Sequence, residues 1–402
     1  MPNFSDLRTL CLESQRLTHT VIDDFLIYYG ARQDNLNRKA KKKLARYSHV
    51  SRDLPEEWTN MVMTQFIGHV IFKQDGLINR YINHSGLDHL LDEEMAFLEF
   101  QAENPWRFSF AEIAGQPAED FFEMKDVFTD DTYLLFSPGL SDILASQNIS
   151  LCFNLVSYNG ECWETYGPIS AYNGFEPSDI RFFATQVNRG NWFENDRELM
   201  EYVESNPVPF MHLFAGAIAP RAFHIDDQIV HVTAEYLDDS FDAELFKDRF
   251  KVEYSMGVYK LSQEGWNMFP HFTAAYYNEK EELLFLYSMT DRGFRYLVKE
   301  LNSCGYDLSF QSDFRVNTGM VQLTNDLLKK EINMNPYSFL FTSEPPEEDN
   351  RHLDKINTLL SGMVPLVNAG KKPDLEMMSI THDVPFETVQ ALYDRLKESQ
   401  DQ

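Results

Sequence analysis

The densest set of side chains able to do chemistry is His84-Ser85-Gly86-Leu87-Asp88-His89, followed at once by Asp92, Glu93 and Glu94. On one continuous helix His84, Asp88 and Asp92 align at i, i+4 and i+8. An imidazole with two carboxylates can hold a divalent cation. Gly86 interrupts a helix there, however, and no second ligand cluster has matching spacing. The expected role of these acids is a helix start, where carboxylates face the positive end of the dipole. A second pair, His224 and His231, flanks a predicted turn at Asp226-Asp227 and can face across a two-stranded ribbon. The competing reading is surface strand residues beside an acidic turn. No phosphate-binding loop, dinucleotide fingerprint, nucleophile elbow, H-E-x-x-H or paired C-x-x-C occurs. No catalytic residue is therefore assigned and no cofactor or metal is expected, since structural zinc needs four N/S ligands in short paired spacings.

The basic residues gather in one place. Arg38, Lys39, Lys41, Lys42, Lys43 and Arg46 make six of the nine residues from 38 to 46 cationic, in a chain of formal net charge −28. One reading is a solvated helix whose cations meet the protein's own carboxylates. The functional reading is a contact that docks internally or onto an acidic protein surface. Only Tyr47 is close by, so base stacking is not expected and any nucleic-acid contact goes to the backbone.

The four cysteines are Cys11, Cys152, Cys162 and Cys304. Cys152 and Cys162 flank Asn159-Gly160, a dipeptide suited to a two-residue type I′ turn. That turn sets Ser157 opposite Cys162 and leaves Cys152 roughly 16 Å away along the strand, beyond disulfide reach. Reduced, mostly buried thiols are expected.

The elements that must position these groups read as follows. Residues 5–30 form a helix burying Leu7, Leu10, Leu17, Val21, Phe25 and Tyr28. Pro55 with Glu56 and Glu57 opens another, and a third runs from about Leu87 to Glu103. Strands are predicted at 107–113, 121–127, 132–136, 151–157 and 162–166, with one helical turn at 140–144. Such a set suggests a curled sheet or small open barrel. Short helices follow at 176–187 and 196–204, ended by Pro207 and Pro209. Two strands are predicted over 223–237 and a hairpin over 272–287. Ser288-Met289-Thr290-Asp291 resembles a capping box before a helix burying Phe294, Leu297, Val298 and Leu301. A strand at 307–310, a polar linker at 343–349 and helices at 353–360, 375–380 and 386–398 complete the chain.

Asp92-Glu93-Glu94, Pro105-Trp106-Arg107-Phe108-Ser109-Phe110-Ala111-Glu112-Ile113 and Lys125-Asp126-Val127-Phe128-Thr129-Asp130 resemble a group of uncharacterised bacterial proteins that often end in a SEC-C zinc knuckle. A later echo is Leu284-Phe285-Leu286-Tyr287-Ser288 before a helix from Arg292. The cysteine-rich knuckle is missing here, so the resemblance implies a layout and no activity.

The expected fold class is α+β: a helical unit at 1–104, a small antiparallel β unit at 105–172, a helical connector at 173–218, an α+β domain at 219–342 and C-terminal helices at 350–402. The acidity disfavours nucleic acid and anionic membranes as partners, and no apolar run is long enough to span a membrane. No basic region precedes an apolar one at the N-terminus, so a cytoplasmic location is expected. The 375–397 helix pair resembles a helix-turn-helix, yet its second helix carries Glu387, Asp394 and Glu398, which phosphate repels. The expected function is that of a non-catalytic binding or adaptor protein with another protein as partner. The alternatives are an enzyme whose site is assembled from distant segments and a nucleic-acid-binding regulator using residues 38–46.

Overall fold

The computed structural model describes residues 3–52, 54–217, 228–236, 241–342, 347–368, 371–382 and 384–398. They build an α+β protein in two units, one of residues 1–252 with 259–334 and one of 253–258 with 335–402.

The first unit opens on α1 (Phe4–Leu17), which passes through a π-helical stretch at Thr18–Leu26 into α2 (Ile27–Gln33). The predicted single helix is therefore one rod with a wider middle. Cys11, one helical turn after Leu7, takes the buried place expected of Leu10, which is 39% exposed. Beyond the π stretch the face has rotated, and Tyr28 is 63% exposed instead of buried. α3 (Leu36–Leu44), α4 (Glu56–Phe72), α5 (Ile78–Tyr81) and α6 (Asp92–Glu103) follow. α6 starts later than predicted, where the Glu94 side chain accepts the Leu91 N–H at 2.9 Å.

The β unit comprises β1 (Arg107–Ala118), β2 (Phe121–Asp126), β3 (Thr132–Phe136), α7 (Pro138–Leu144), β4 (Leu151–Tyr158) and β5 (Trp163–Tyr172). It is a barrel, as one of the two expectations had it, but a closed one, in the order β1-β2-β3-β5-β4. Closure comes from a parallel pair, Leu135 with Trp163 and Phe136 with Glu164, where only antiparallel pairs were expected. Ala111, Phe122, Met124, Leu135, Cys152 and Val156 share one core cluster on the inward face. Phe108, Phe110, Phe153 and Tyr166 point the other way, into the core shared with the helices.

The β4–β5 connection is also longer than predicted. Tyr158 pairs with Trp163 and Ser157 with Glu164, so the loop is Asn159 to Cys162. Gly160 has φ +104° but Asn159 is not in the left-handed region, so the type I′ turn does not form. Instead the Asn159 side chain accepts the N–H groups of Glu161 at 3.0 Å and Cys162 at 2.9 Å. Cys152 pairs with Ala171, far from Cys162.

α8 (Pro177–Val187) and α9 (Asp196–Ser205) match the prediction, but Pro207 begins α10 (Pro207–Ala217) where a helix end was read. Proline in a first helical turn loses no hydrogen bond the helix needs. A sheet of order β11-β6-β10-β9-β8-β7 follows. Its strands are β6 (Gln228–Tyr236), β7 (Lys251–Ser255), β8 (Val258–Ser262), β9 (Ala274–Asn278), β10 (Leu283–Ser288) and β11 (Phe314–Asn317). The predicted strand at 307–310 does not form. α11 (Asp291–Asn302) lays Phe294, Leu297, Val298 and Leu301 on this sheet, as expected. Its cap is Thr290, which accepts the Gly293 N–H at 3.0 Å, and not Ser288. α12 (Thr318–Leu328) returns to the first core, where Met320, Leu323 and Leu327 join Phe183 and Phe210. Arg315 on β11 holds both oxygens of Asp291 at 2.9 Å and Glu176 at 2.5 Å. In the second unit α13 (Glu347–Asn368), α14 (Leu375–His382) and α15 (Phe386–Glu398) close over Leu359, Met363, Val367, Val384 and Val389.

α4 is seated on the barrel through Gly68. A Cβ there would lie 2.7 Å from the Tyr166 ring and 3.2 Å from Trp106. Both rings are buried, and the Tyr166 hydroxyl donates to Asp23 at 2.7 Å, so neither moves freely. Gly68→Ala is expected to lower stability by about 1–2 kcal/mol in denaturant unfolding, although alanine is the better helix former. An unchanged or raised midpoint would contradict this seating.

Candidate functional site

The basic cluster falls on α3 and the turn after it. Leu36, Ala40 and Leu44, spaced one turn apart, are buried and fix the helix on the core. Arg38, Lys39, Lys41, Lys42, Lys43 and Arg46 all project outward and are exposed. No ion pair to a described carboxylate joins any of the six. At longer range Lys39 acts on Asp34, whose carboxyl lies below its usual value chiefly through the hydrogen bond from Tyr81. Lys43 lies over the Phe66 ring at 5.3 Å, which holds its stem in place.

The histidine candidates are placed by packing. A 3₁₀ turn at Ser85–Leu87 separates His84 from α6, so His84, Asp88 and Asp92 do not share a helix. His84 accepts the Gly86 N–H at 3.1 Å and its ring lies 5.8 Å from Tyr29. The His89 ring meets Phe25 edge-on at 4.7 Å, and Asp88 is exposed. His231 on β6 lies between Phe314 at 4.9 Å and Phe285 at 5.5 Å, and burial pushes its imidazole down to about 4. His224 and the turn at Asp226-Asp227 lie outside the described residues. Among the described residues no three of His, Cys, Asp and Glu gather as a metal site would require.

A constellation that sequence reading missed lies in a cleft of about 950 Å³ beside the barrel and α9, lined by Trp106, Arg107, Phe108, Asp126, Arg197 and Glu204 among others. Glu204 on α9 meets the buried Nε2 of His69 on α4 at 2.5 Å and accepts the Phe108 N–H at 2.6 Å. Asp126 accepts Ser109 Oγ at 2.7 Å and the N–H groups of Phe128 and Thr129 at 3.0 and 2.9 Å. Both carboxylates thus already have partners, and what they hold is backbone and fold. Asp126 sits at a turn signal, but His69 and Glu204 are 135 residues apart and no local pattern links them.

A second buried acid sits on the far side of the barrel. Glu164 on β5 accepts Asn159 Nδ2 at 2.5 Å, and burial raises its carboxyl to about 7. Comparisons with family models, curated proteins and solved structures return no match. The reading of the site rests on the chain's own geometry.

Two outcomes follow from these acids. Glu204→Ala leaves the Phe108 amide and His69 unpaired and is expected to cost about 2–4 kcal/mol in denaturant unfolding. A variant as stable as the parent would release Glu204 from its structural role. For Glu164, the folded value lies above the ordinary 4.5, so the folded chain binds more protons and stability falls as pH rises from 4.5 to about 7. Glu164→Gln should therefore gain stability over the parent across that window, reaching about 3 kcal/mol and then levelling off. Parallel melting curves at pH 5 and pH 8 that keep the same difference would contradict it.

Proposed function

We propose that this protein is a non-catalytic binding or adaptor protein that recognises an acidic protein surface through the outward face of α3. The observation that carries the reading is the exposure of six cations with no ion pair among the described residues, five on the firmly seated α3 and Arg46 in the turn after it, in a chain with net charge −28. Excess carboxylate elsewhere repels an acidic partner from the rest of the surface and leaves α3 as the point of approach. Rim cations of this kind speed encounter and set salt dependence more than they set affinity. The enzyme reading is supported by the His69–Glu204 contact in the cleft, but both oxygens of Glu204 are engaged there. Nucleic acid is the less favoured partner, because the helix offers no aromatic ring for stacking.

Lys41→Gln, Lys42→Gln and Lys43→Gln combined test the proposal against poly-glutamate as probe. Each exposed pair contributes about 0.2–1 kcal/mol, so roughly tenfold weaker binding is expected, with a shallower salt dependence. Equal binding by parent and variant overturns the reading. Tighter binding of the parent to RNA or DNA than to poly-glutamate, with a steep salt slope that the substitutions flatten, replaces it with the nucleic-acid reading.

A further inference from the structure

The packing of α1 against the closed barrel brings together two cysteines that lie 151 residues apart in sequence. Cys11 Sγ on α1 is 3.4 Å from Cys162 Sγ in the β4–β5 loop. Asn159 Nδ2 lies 3.4 Å from the first sulfur and 3.6 Å from the second, and also donates to Glu164. Phe4, Leu7, Phe121 and Phe136 pack around the pair. The other two cysteines stand apart: Cys152 faces the barrel interior and Cys304 belongs to the α11 sheet.

We infer that Cys11 and Cys162 form a reversible dithiol–disulfide site whose oxidant is a small, uncharged peroxide. The pair stands at sulfur–sulfur contact, so a disulfide needs the two sulfurs to approach by only about 1.4 Å in total. Cys162 is the nucleophile. The two sulfurs share one hydrogen bond in which either can donate; with Cys11 as donor that bond chiefly holds the Cys162 thiol below its usual value, and the Asn159 amide adds to it. The same hydrogen bond raises Cys11, which therefore keeps its proton. The Cys162 thiolate attacks one oxygen of hydrogen peroxide. The S–O bond forms, the O–O bond breaks, and hydroxide leaves to take up a proton as water. Cys11 then attacks the sulfenic sulfur. The S–S bond forms, the S–O bond breaks, and hydroxide leaves with the Cys11 proton as a second water. Two electrons pass from the sulfurs to the peroxide. The sequence stays on the first rung of thiol oxidation, and a dithiol reductant reverses it.

Burial selects the oxidant. Cys11 is 0% and Cys162 1% exposed, so a tripeptide disulfide cannot reach either sulfur in line. Hydrogen peroxide has two heavy atoms and no charge, so it needs only a small local opening of the structure to reach the pair. The product ties α1 to the barrel across a long loop, which disfavours the unfolded chain.

The native full-length protein is treated with hydrogen peroxide, or separately with glutathione disulfide, then denatured in N-ethylmaleimide and mapped by mass spectrometry. The expected result with peroxide is a chain two hydrogens lighter, two cysteines spared from alkylation, a linked Cys11–Cys162 peptide, and full alkylation after dithiothreitol. Glutathione disulfide leaves the pair alkylated. The oxidised protein melts higher than the reduced one, and Cys11→Ser treated with peroxide and dimedone carries the adduct on Cys162. The parent mapping alone decides the matter if the variant fails to fold. Full alkylation of Cys11 and Cys162 after peroxide has oxidised Cys304, or a link from either to Cys152 or Cys304, overturns the inference. So does oxidation of the pair by glutathione disulfide at a rate matching peroxide.

Discussion

Five strands cannot alternate in direction all the way around a ring. One neighbouring pair must run parallel, and in this barrel it is β3 with β5. A parallel pair cannot be joined by a tight turn, so α7 and β4 intervene, and β4 crosses to β1 before returning as β5. The return brings the Asn159–Cys162 loop and Glu164 beside Phe136. Phe136 in turn meets Phe121, and Phe4 on α1 meets Phe121. The sulfur pair and the raised carboxyl of Glu164 therefore follow from barrel closure. Neither exists on an open sheet of the same strands.

The outer face of the barrel sets the position of α4, α8 and α10, while the six-stranded sheet and α11 have a core of their own. Trp106 stacks on Phe72 at 4.3 Å, Phe108 on Phe153 at 4.8 Å, and Phe110 on Phe153 at 4.4 Å. Phe210 of α10 and Phe183 of α8 continue that aromatic layer. Planar side chains lose little conformational entropy for the area they bury, which suits a layer shared by α4, α8 and α10. Some polar atoms that enter the layer come with partners: Gln65 donates to the Tyr166 and Pro168 carbonyls and Gln101 accepts from the Trp106 indole, whereas the buried Nδ1 of His69 has none among the described residues. The His69–Glu204 contact belongs to the same class, a polar tie between α4, α9 and β1 at the rim of an aromatic core.

What could be read in the sequence was whatever depends on short-range pattern. The α+β class, the strands from Arg107 to Phe136 and the buried stripe of α11 follow from periodicity within one element. The basic cluster was visible because it is contiguous. The rest depends on closure or on distant partners. Asn159-Gly160 carried a strong turn signal, yet the barrel register demanded four loop residues and used Asn159 as the hydrogen-bond acceptor instead. Pro207 has the same local signature whether it ends a helix or starts one, and only the packing of Phe210 and Leu213 into the core decides. Return of β11 and α12 to the first core draws on residues more than a hundred positions from their neighbours, which no window along the chain contains.

Electrostatics along α3 argues for selection by something other than folding. Lys41, Lys42 and Lys43 sit in its last turn, where the carbonyl end of the dipole favours cations. Arg38 and Lys39 sit in its first turn, where the dipole disfavours them, and no Asp or Glu occupies that turn to compensate. The helix starts at Asn35 in a left-handed conformation without a side-chain cap, so its N-terminus gains nothing locally either. With 63 acidic residues in the chain, neutralising the cluster would require only a nearby carboxylate, and the packing of Leu36, Ala40 and Leu44 would tolerate one on the exposed side. Cations at the start of the helix, with only Asp34 before it to offset them, and the mutual repulsion along the exposed face both cost stability, which the favourable end only partly offsets. That cost is recovered when an acidic surface supplies the missing charge, which is the physical content of the proposed interface.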